Sequence, residues 1–324
     1  MRKRATEEAK PTVGMIGLGI MGSAMAANLV KAKFPVIGYD PVPDRRRALA
    51  RARGRPVGAA EAVAKAARII VLSLPSADAL AESAAALARS ARRGTIVVET
   101  STLPIPVKEA ARVRLARAGV TLLDCPLSGT GAQARTRDLV VFASGPRNAY
   151  RQCAPVFDGF ARRHRYTGPF GTGSKLKFIA NLLVSIHNVA AAEAMVLGMK
   201  AGIEPAEVLE VMGDSAGSSR MLQIRGPLMV ADRYRPATMK NAVWQKDVRV
   251  IGEFARSLAC PTPLFDAASV VYVSAMAEGL AEEDTGSVCR VLERWAGHER
   301  PKTRKKTASR RRTVRARRKR ARKD

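Results

Sequence analysis

The stretch TVGMIGLGIMGSAMAANLVKAKFPVIGYD, residues 12–40, decides the fold. Its opening apolar run, Val13–Ile16, reads as a buried strand. The chain then turns at Gly17, Gly19 and Gly22 into an amphipathic helix over residues 23–31, and a second strand over 35–39 ends in Asp40. The glycine spacing is GxGxxG. Gly17 permits the tight turn, Gly19 lets a backbone approach a pyrophosphate, and Gly22 lets helix and strand pack closely, so the helix N-terminus faces the phosphates with free N–H groups. Spacing alone is a weak signal; the strand before and the helix after supply the context that it needs. Gly17, Leu18, Gly19, Ile20, Met21 and Gly22 are therefore expected to form a cofactor loop. Asp40 stands where an acid hydrogen-bonds the adenosine ribose and repels a 2′-phosphate, which favours NAD. Arg45, Arg46 and Arg47 just downstream keep NADP as the alternative.

Outward from this stretch, strands over 68–75 and 94–102 alternate with alanine-rich helical segments over 59–67 and 77–91. Such alternation predicts an α/β Rossmann fold, a doubly wound parallel sheet. Ligands bind beyond the strand C-termini of such sheets, so the loops holding Leu74, Pro75, Ser101 and Thr102 should open onto the cofactor. A strand over 120–124 leads into Ser128, Gly129 and Thr130, and another strand follows over 139–144. A hydroxyl next to a glycine offers donors that suit a carboxylate, although an ordinary turn has the same composition.

From Gly171 the pattern becomes helical. GTGSKLKFIANLL, residues 171–183, leads into a long helix over 177–200, with further helices over 206–212, 241–258 and 263–278. Lys177 and Asn181 are four apart and share a helical face. The expected organisation is a dinucleotide-binding domain over 12–170, an all-α substrate and dimerisation domain over 171–298, and a basic tail over 299–324.

Of the 324 residues 47% are hydrophobic, enough for a large core. The four cysteines, at 125, 153, 260 and 289, match neither a zinc spacing nor a redox pair, so no metal is expected and the chain reads as reduced and cytoplasmic. No uninterrupted run of about 18 apolar residues indicates a membrane span. The net charge is +28, and residues 300–324 carry half of it, with fifteen Lys or Arg against one acid. With Val314 as its one aliphatic residue larger than alanine and no aromatic, this tail is expected to be disordered. It supports a second reading, a nucleic-acid-binding protein that uses a dehydrogenase-like scaffold and contacts phosphates non-specifically through its polybasic tail. A membrane surface fits less well, because no apolar face accompanies the charge.

Four blocks in order give the chain a resemblance to the β-hydroxyacid dehydrogenase family, which includes 3-hydroxyisobutyrate dehydrogenase and tartronate semialdehyde reductase and is 6-phosphogluconate dehydrogenase-like in fold. They are GLGIMGSAMAANL (17–29), DCPLSGTGAQA (124–134), GTGSKLKFIAN (171–181) and WQKDVRV (244–250). The resemblance implies an NAD(P)-dependent oxidoreductase acting on a small hydroxyacid, and a homodimer or homotetramer. Lys177 then matches the catalytic lysine and Asn181 the asparagine that orients substrate. Ser128 and Gly129, with Thr130 beside them, match the substrate-carboxylate loop; Thr102 falls near the nicotinamide, and Lys246 and Asp247 near the cofactor and the substrate rim. Thr130, Arg137, Asp138 and Ala180 stand where the family usually has glycine, Gly-Thr and asparagine. An imine reductase would share the cofactor domain but generally lacks the lysine. A lysine acting as base at neutral pH needs its pKa brought from about 10.4 toward about 7 to 8, by burial or by the charge of Lys175 or Lys246. Trp244, Met239 and the segment 210–235 are expected to border the pocket.

Overall fold

In the computed structural model, which describes residues 10–300, the apolar runs lie side by side in one parallel sheet. Residues 301–324 lie outside the described residues, and with them the polybasic segment and the nucleic-acid reading attached to it. In chain order the first half runs β1 (Val13–Ile16), α1 (Ile20–Lys31), β2 (Val36–Tyr39), α2 (Pro43–Arg51), β3 (Arg55–Pro56), α3 (Ala60–Ala66), β4 (Ile69–Leu72), α4 (Ala77–Ser90), β5 (Ile96–Glu99), α5 (Ile105–Arg117) and β6 (Thr121–Asp124). The sheet order is β3-β2-β1-β4-β5-β6, with Val13 paired to both Val36 and Ile69 and Ile96 paired to both Ile69 and Thr121. Strand order reverses between β1 and β4, so the crevice at that switch point lies between the glycine turn after β1 and the loops after β4 and β5.

Alternation along the strands divides the core in two. Val13, Met15, Val71, Val98 and Leu123 join the apolar cluster on one face, while Ile70, Leu72, Val97 and Leu122 join that on the other. Both faces are covered, which is why these strands read as continuous apolar runs. Helix α1 starts at Ile20, three residues before the sequence suggests, and takes in Gly22. A β-carbon on Gly22 would meet the Gly17 carbonyl oxygen at 1.9 Å, so packing at this corner overrides the weak helical preference of glycine.

A smaller sheet follows, built from β7 (Leu127–Ser128), β8 (Val140–Ala143) and β9 (Arg163–Tyr166), with α6 (Gly131–Arg135) and α7 (Arg147–Phe160) between its strands. Strand β8 pairs antiparallel with β7 and parallel with β9, so the run at 139–144 lies outside the six-stranded sheet; an Asp124–Ser144 bridge links the two sheets. The sequence of β9, RHRY, has no aliphatic residue, which hides this edge strand from an apolar pattern.

The remainder is helical: α8 (Thr172–Lys200), α9 (Pro205–Gly213), α10 (Arg220–Val230), α11 (Asn241–Ser257), α12 (Pro263–Ala277) and α13 (Val288–Trp295). Helix α8 begins five residues before the expected 177, capped by Gly171 at φ 88°. Gly173 comes so close to the smaller sheet that a β-carbon there would meet the Phe142 carbonyl oxygen at 2.3 Å. By length and composition α8 is apolar enough to cross a membrane, yet Val189, Ala192, Met195 and Val196 are buried in the core of this helical region beside Tyr272 and Val288. The internal Pro227 accounts for α10 being absent from the sequence reading.

Candidate active site

The glycine turn has the stereochemistry that a dinucleotide requires. Gly17 has φ 89°, and a β-carbon on it would meet the Ser73 carbonyl oxygen at 2.2 Å. A β-carbon on Gly19 would meet nothing within 4 Å, so the open side of the turn lies in front of α1. No side chain caps α1, and its first-turn N–H groups are left for an anion. These features fit a bound pyrophosphate. Asp40 is buried against the turn, its carboxylate accepting hydrogen bonds from the Leu18 amide (2.8 Å) and the Val42 amide (2.9 Å). It therefore braces the loop as well as standing at the end of β2. Arg45 pairs with Asp40 at 3.3 Å, Arg46 donates to the carbonyl oxygens of Asp40 and Pro41, and Arg47 pairs with Asp44.

Beyond the turn, a cleft of about 1020 Å³ runs between the strand ends and the helical region. Met21, Leu74, Pro75, Thr102, Ser128, Gly129, Thr130, Lys177, Asn181, Lys246 and Asp247 all line it. Gly17, Leu18, Gly19, Ile20, Gly22 and Asp40 are not among its lining residues and belong to the glycine turn, with Met21 common to both groups. Residues read as pocket neighbours, Trp244 and Met239, and Arg220, Met221, Ile224 and Arg225 from the 210–235 segment, also line the cleft.

Lys177 lies in the second turn of α8, only 9% exposed, and forms no ion pair among the described residues. Burial lowers its pKa to about 8; the Lys246 charge acts the same way and the Asp247 carboxylate opposes it. Lys175 is exposed and takes no part in this shift. One turn after Lys177, Asn181 donates from Nδ2 to Asp247 (2.8 Å). Lys246 lies 2.9 Å from the other Asp247 oxygen and also donates to the Thr102 carbonyl oxygen. This chain of bonds ties the loop after β5 to α11 and α8. It fixes the Asn181 amide while leaving the Lys177 ammonium free.

Ser128 and Gly129 stand where β7 runs into α6, with Gly129 at φ 134°. Thr130 caps α6, and its amide donates to Gln133 Oε1 (2.9 Å). Gln133 Nε2 in turn donates to Asp138 (3.0 Å), which also accepts from Arg162 (2.7 Å). The unusual residues of this segment thus brace the loop from behind. Arg137 holds φ 62°, a conformation that a glycine adopts more readily. Gln133, Arg162 and His187 line the cleft without having been singled out from the sequence. Arg162 immediately precedes the polar β9, and composition does not give it away.

Beneath the floor lies a buried charged cluster. Lys108 Nζ, with 0% side-chain exposure, is 2.6 Å from Glu99 Oε2, 2.8 Å from Asp124 Oδ1 and 2.7 Å from the Ser101 carbonyl oxygen. The two carboxylates hold its pKa above the ordinary lysine value although burial acts against them. Asp124 also accepts from the Ser174 amide (2.8 Å), Ser174 Oγ (2.7 Å) and Ser144 Oγ (3.1 Å). Ser101 is held at every polar atom: its amide donates to Glu99, and its hydroxyl accepts from the Leu74 amide at 2.8 Å. Removing one partner from such a set costs roughly 3–5 kcal/mol, so the cluster is a firm base for the loops above it.

Comparison with known proteins agrees with this geometry. Residues 12–168 match the family described as the NAD binding domain of 6-phosphogluconate dehydrogenase, and residues 171–292 match that described as NAD-binding of NADP-dependent 3-hydroxyisobutyrate dehydrogenase. The chain is 32% identical over 284 residues to an L-threonate dehydrogenase of Cupriavidus necator, covering 86% of this chain and 95% of that one. It is 26% identical over 292 residues to the mitochondrial 3-hydroxyisobutyrate dehydrogenase of Mus musculus, covering 87% of each. Among solved structures, a 3-hydroxyisobutyrate dehydrogenase from Salmonella typhimurium superposes with a TM-score of 0.79 at 27% identity, covering 87% of this chain and all of that one. On these matches, and on a fold and cleft that agree with them, the chain belongs to the β-hydroxyacid dehydrogenase family of NAD(P)-dependent oxidoreductases.

Proposed function

We propose that the protein oxidises a small β-hydroxyacid, 3-hydroxyisobutyrate-like in size, to the corresponding semialdehyde, or catalyses the reverse reduction, with Lys177 as general acid and base. The nicotinamide, when bound, accepts or supplies the hydride. The remaining tasks fall to the chain: holding the substrate, handling one proton and stabilising the developing charge. Lys177 takes the hydroxyl proton during oxidation and returns one to the carbonyl during reduction. The observation that carries this reading is the Lys177 ammonium buried in the cleft, one turn before Asn181 and without an ion-pair partner among the described residues; burial lowers its pKa to about 8, toward the range that an acid and base at neutral pH needs. In its charged form the same ammonium stabilises an alkoxide. Asn181, oriented by Asp247, holds the reacting oxygen, and Ser128 and Gly129, with Thr130 behind them, receive the carboxylate.

NAD is preferred over NADP in this reading. Arg45, Arg46 and Arg47 are each bonded to protein oxygens, and Asp40 adds negative charge at the edge where a 2′-phosphate would lie. The reading also takes residues 12–170 as the cofactor domain and 171–298 as the substrate and dimerisation domain of a cytoplasmic homo-oligomer. Exposed Leu197, Leu264, Val270 and Val273 on α8 and α12 support the assembly. The decisive experiment follows NADH absorbance with a hydroxyacid panel for the wild type and Lys177→Ala. Loss of turnover with dinucleotide affinity nearly intact is expected; wild-type activity in the variant would refute the lysine mechanism.

A further inference from the structure

The cleft is assembled from two pieces far apart in sequence. The loop 100–103 after β5 carries Thr102 into the cleft, and the N-terminal turns of α8 carry Lys177. Hydride transfer requires the separation between these pieces to hold within a fraction of an ångström. Two connections between the loop and the helical region are visible. One is the chain through Lys246, Asp247 and Asn181, which line the cleft; the other is the buried cluster beneath the floor.

We infer that Lys108 is a positioning residue for the reaction, because its one ammonium joins the Ser101 carbonyl, next to Thr102, to Asp124, which holds the first turn of α8 through Ser174. The chemistry of the group matches the task. An ammonium has three donors and no acceptor. Here two of them bond to the Ser101 carbonyl (2.7 Å) and Asp124 Oδ1 (2.8 Å), and Glu99 Oε2 lies 2.6 Å away as an ion-pair partner. Asp124 passes the constraint on, since it accepts from both the amide and the hydroxyl of Ser174, three residues before Lys177. Surface helices do not ordinarily bury a lysine, and this one neutralises part of the charge of the fully buried Glu99 and Asp124 carboxylates. Asp124 already has three donors from Ser174 and Ser144, and the Glu99 side chain accepts from the Ser101 amide. Beside this charge, what Lys108 alone provides is the bond to the Ser101 carbonyl and its connection to Asp124.

This inference rests on the dehydrogenase reading above, and its test separates the two. Lys108→Met alone strands two carboxylates and endangers folding, so it is paired with Glu99→Gln, which removes one of those charges while Asp124 keeps its donors from Ser174 and Ser144. The double variant is expected to fold, by circular dichroism, and to bind NADH with unchanged affinity. Its kcat should fall about 10- to 100-fold while KM changes little. Ser174→Ala, which removes one hydroxyl, should show the same pattern at smaller amplitude. Hydrogen exchange should rise in the peptides covering 100–104 and 172–178 and stay unchanged in β4. A folded double variant with wild-type kcat, or one in which exchange rises only outside those two peptides, overturns the inference. If the wild type turns over no hydroxyacid, it is the reaction that fails, and the exchange pattern still decides whether Lys108 couples the two pieces.

Discussion

Lys177→Met tests the central residue through stability as well as activity. A buried ammonium with no ion-pair partner is costly, and the lowering of its pKa from 10.5 to about 8 measures that cost. By proton linkage it amounts to about 3 kcal/mol in favour of the neutral form of the folded protein. The folded pKa lies below the unfolded one, so between about pH 8 and pH 10.5 the unfolded chain holds more protons. Wild-type stability should therefore rise with pH across that window, and the full cost is present below about pH 8. Methionine has nearly the shape of the lysine stem and carries no charge, so it fills the space without the cost. Urea unfolding of both proteins at about pH 7 should show the variant more stable, by up to about 3 kcal/mol. At about pH 9.5 its advantage over the wild type should be smaller by about 2 kcal/mol. The same variant should have lost turnover, since in the proposed mechanism the group that burdens the fold is the one that carries the proton. An advantage that does not change with pH, or a variant less stable than wild type at pH 7, would refute the reasoning about burial.

Further outcomes follow from the same geometry. The kcat/KM for oxidation should rise through about pH 8 as Lys177 loses its proton, and that for reduction should fall across the same range; a flat profile in both directions counts against Lys177 as acid and base. The midpoint should move up in Lys246→Met and down in Asp247→Asn, because the first neighbour lowers the Lys177 pKa and the second raises it. Gly19→Ala places its methyl in open space, so thermal stability should hold while dinucleotide binding weakens about tenfold or more; Gly22→Ala meets a backbone oxygen and should lower stability by roughly 1–3 kcal/mol as well. Steady-state kinetics with both cofactors should give a higher kcat/KM for NAD than for NADP, and the reverse order would mean that one of Arg45, Arg46 or Arg47 leaves its present partner for the phosphate.

Much of this molecule is legible one residue at a time. The GxGxxG spacing, the apolar runs that become β1, β4 and β5, and the four-residue interval between Lys177 and Asn181 are local patterns, and local sterics and burial suffice to interpret them. Local pattern also identified Lys246 and Asp247, through the resemblance, as neighbours of the cleft. Other features depend on what folding brings together. Lys108 looks like any lysine on an alanine- and arginine-rich helix until Glu99 and Asp124, at the ends of two parallel strands, converge on it. Asp40 reads as a ribose ligand in sequence, whereas in three dimensions its carboxylate also accepts the Leu18 amide. Lys177 and Lys175 are equivalent in composition, and only the packing of α8 buries one and exposes the other, with the pKa following the burial. The sequence alone determined where a dinucleotide loop stands along the chain and that Lys177 and Asn181 share a helical face, because turn stereochemistry and helical periodicity are short-range. Which charges meet across the cleft, and so which lysine is poised to carry a proton, was decided by the tertiary structure, because desolvation and ion pairing depend on neighbours tens of residues away.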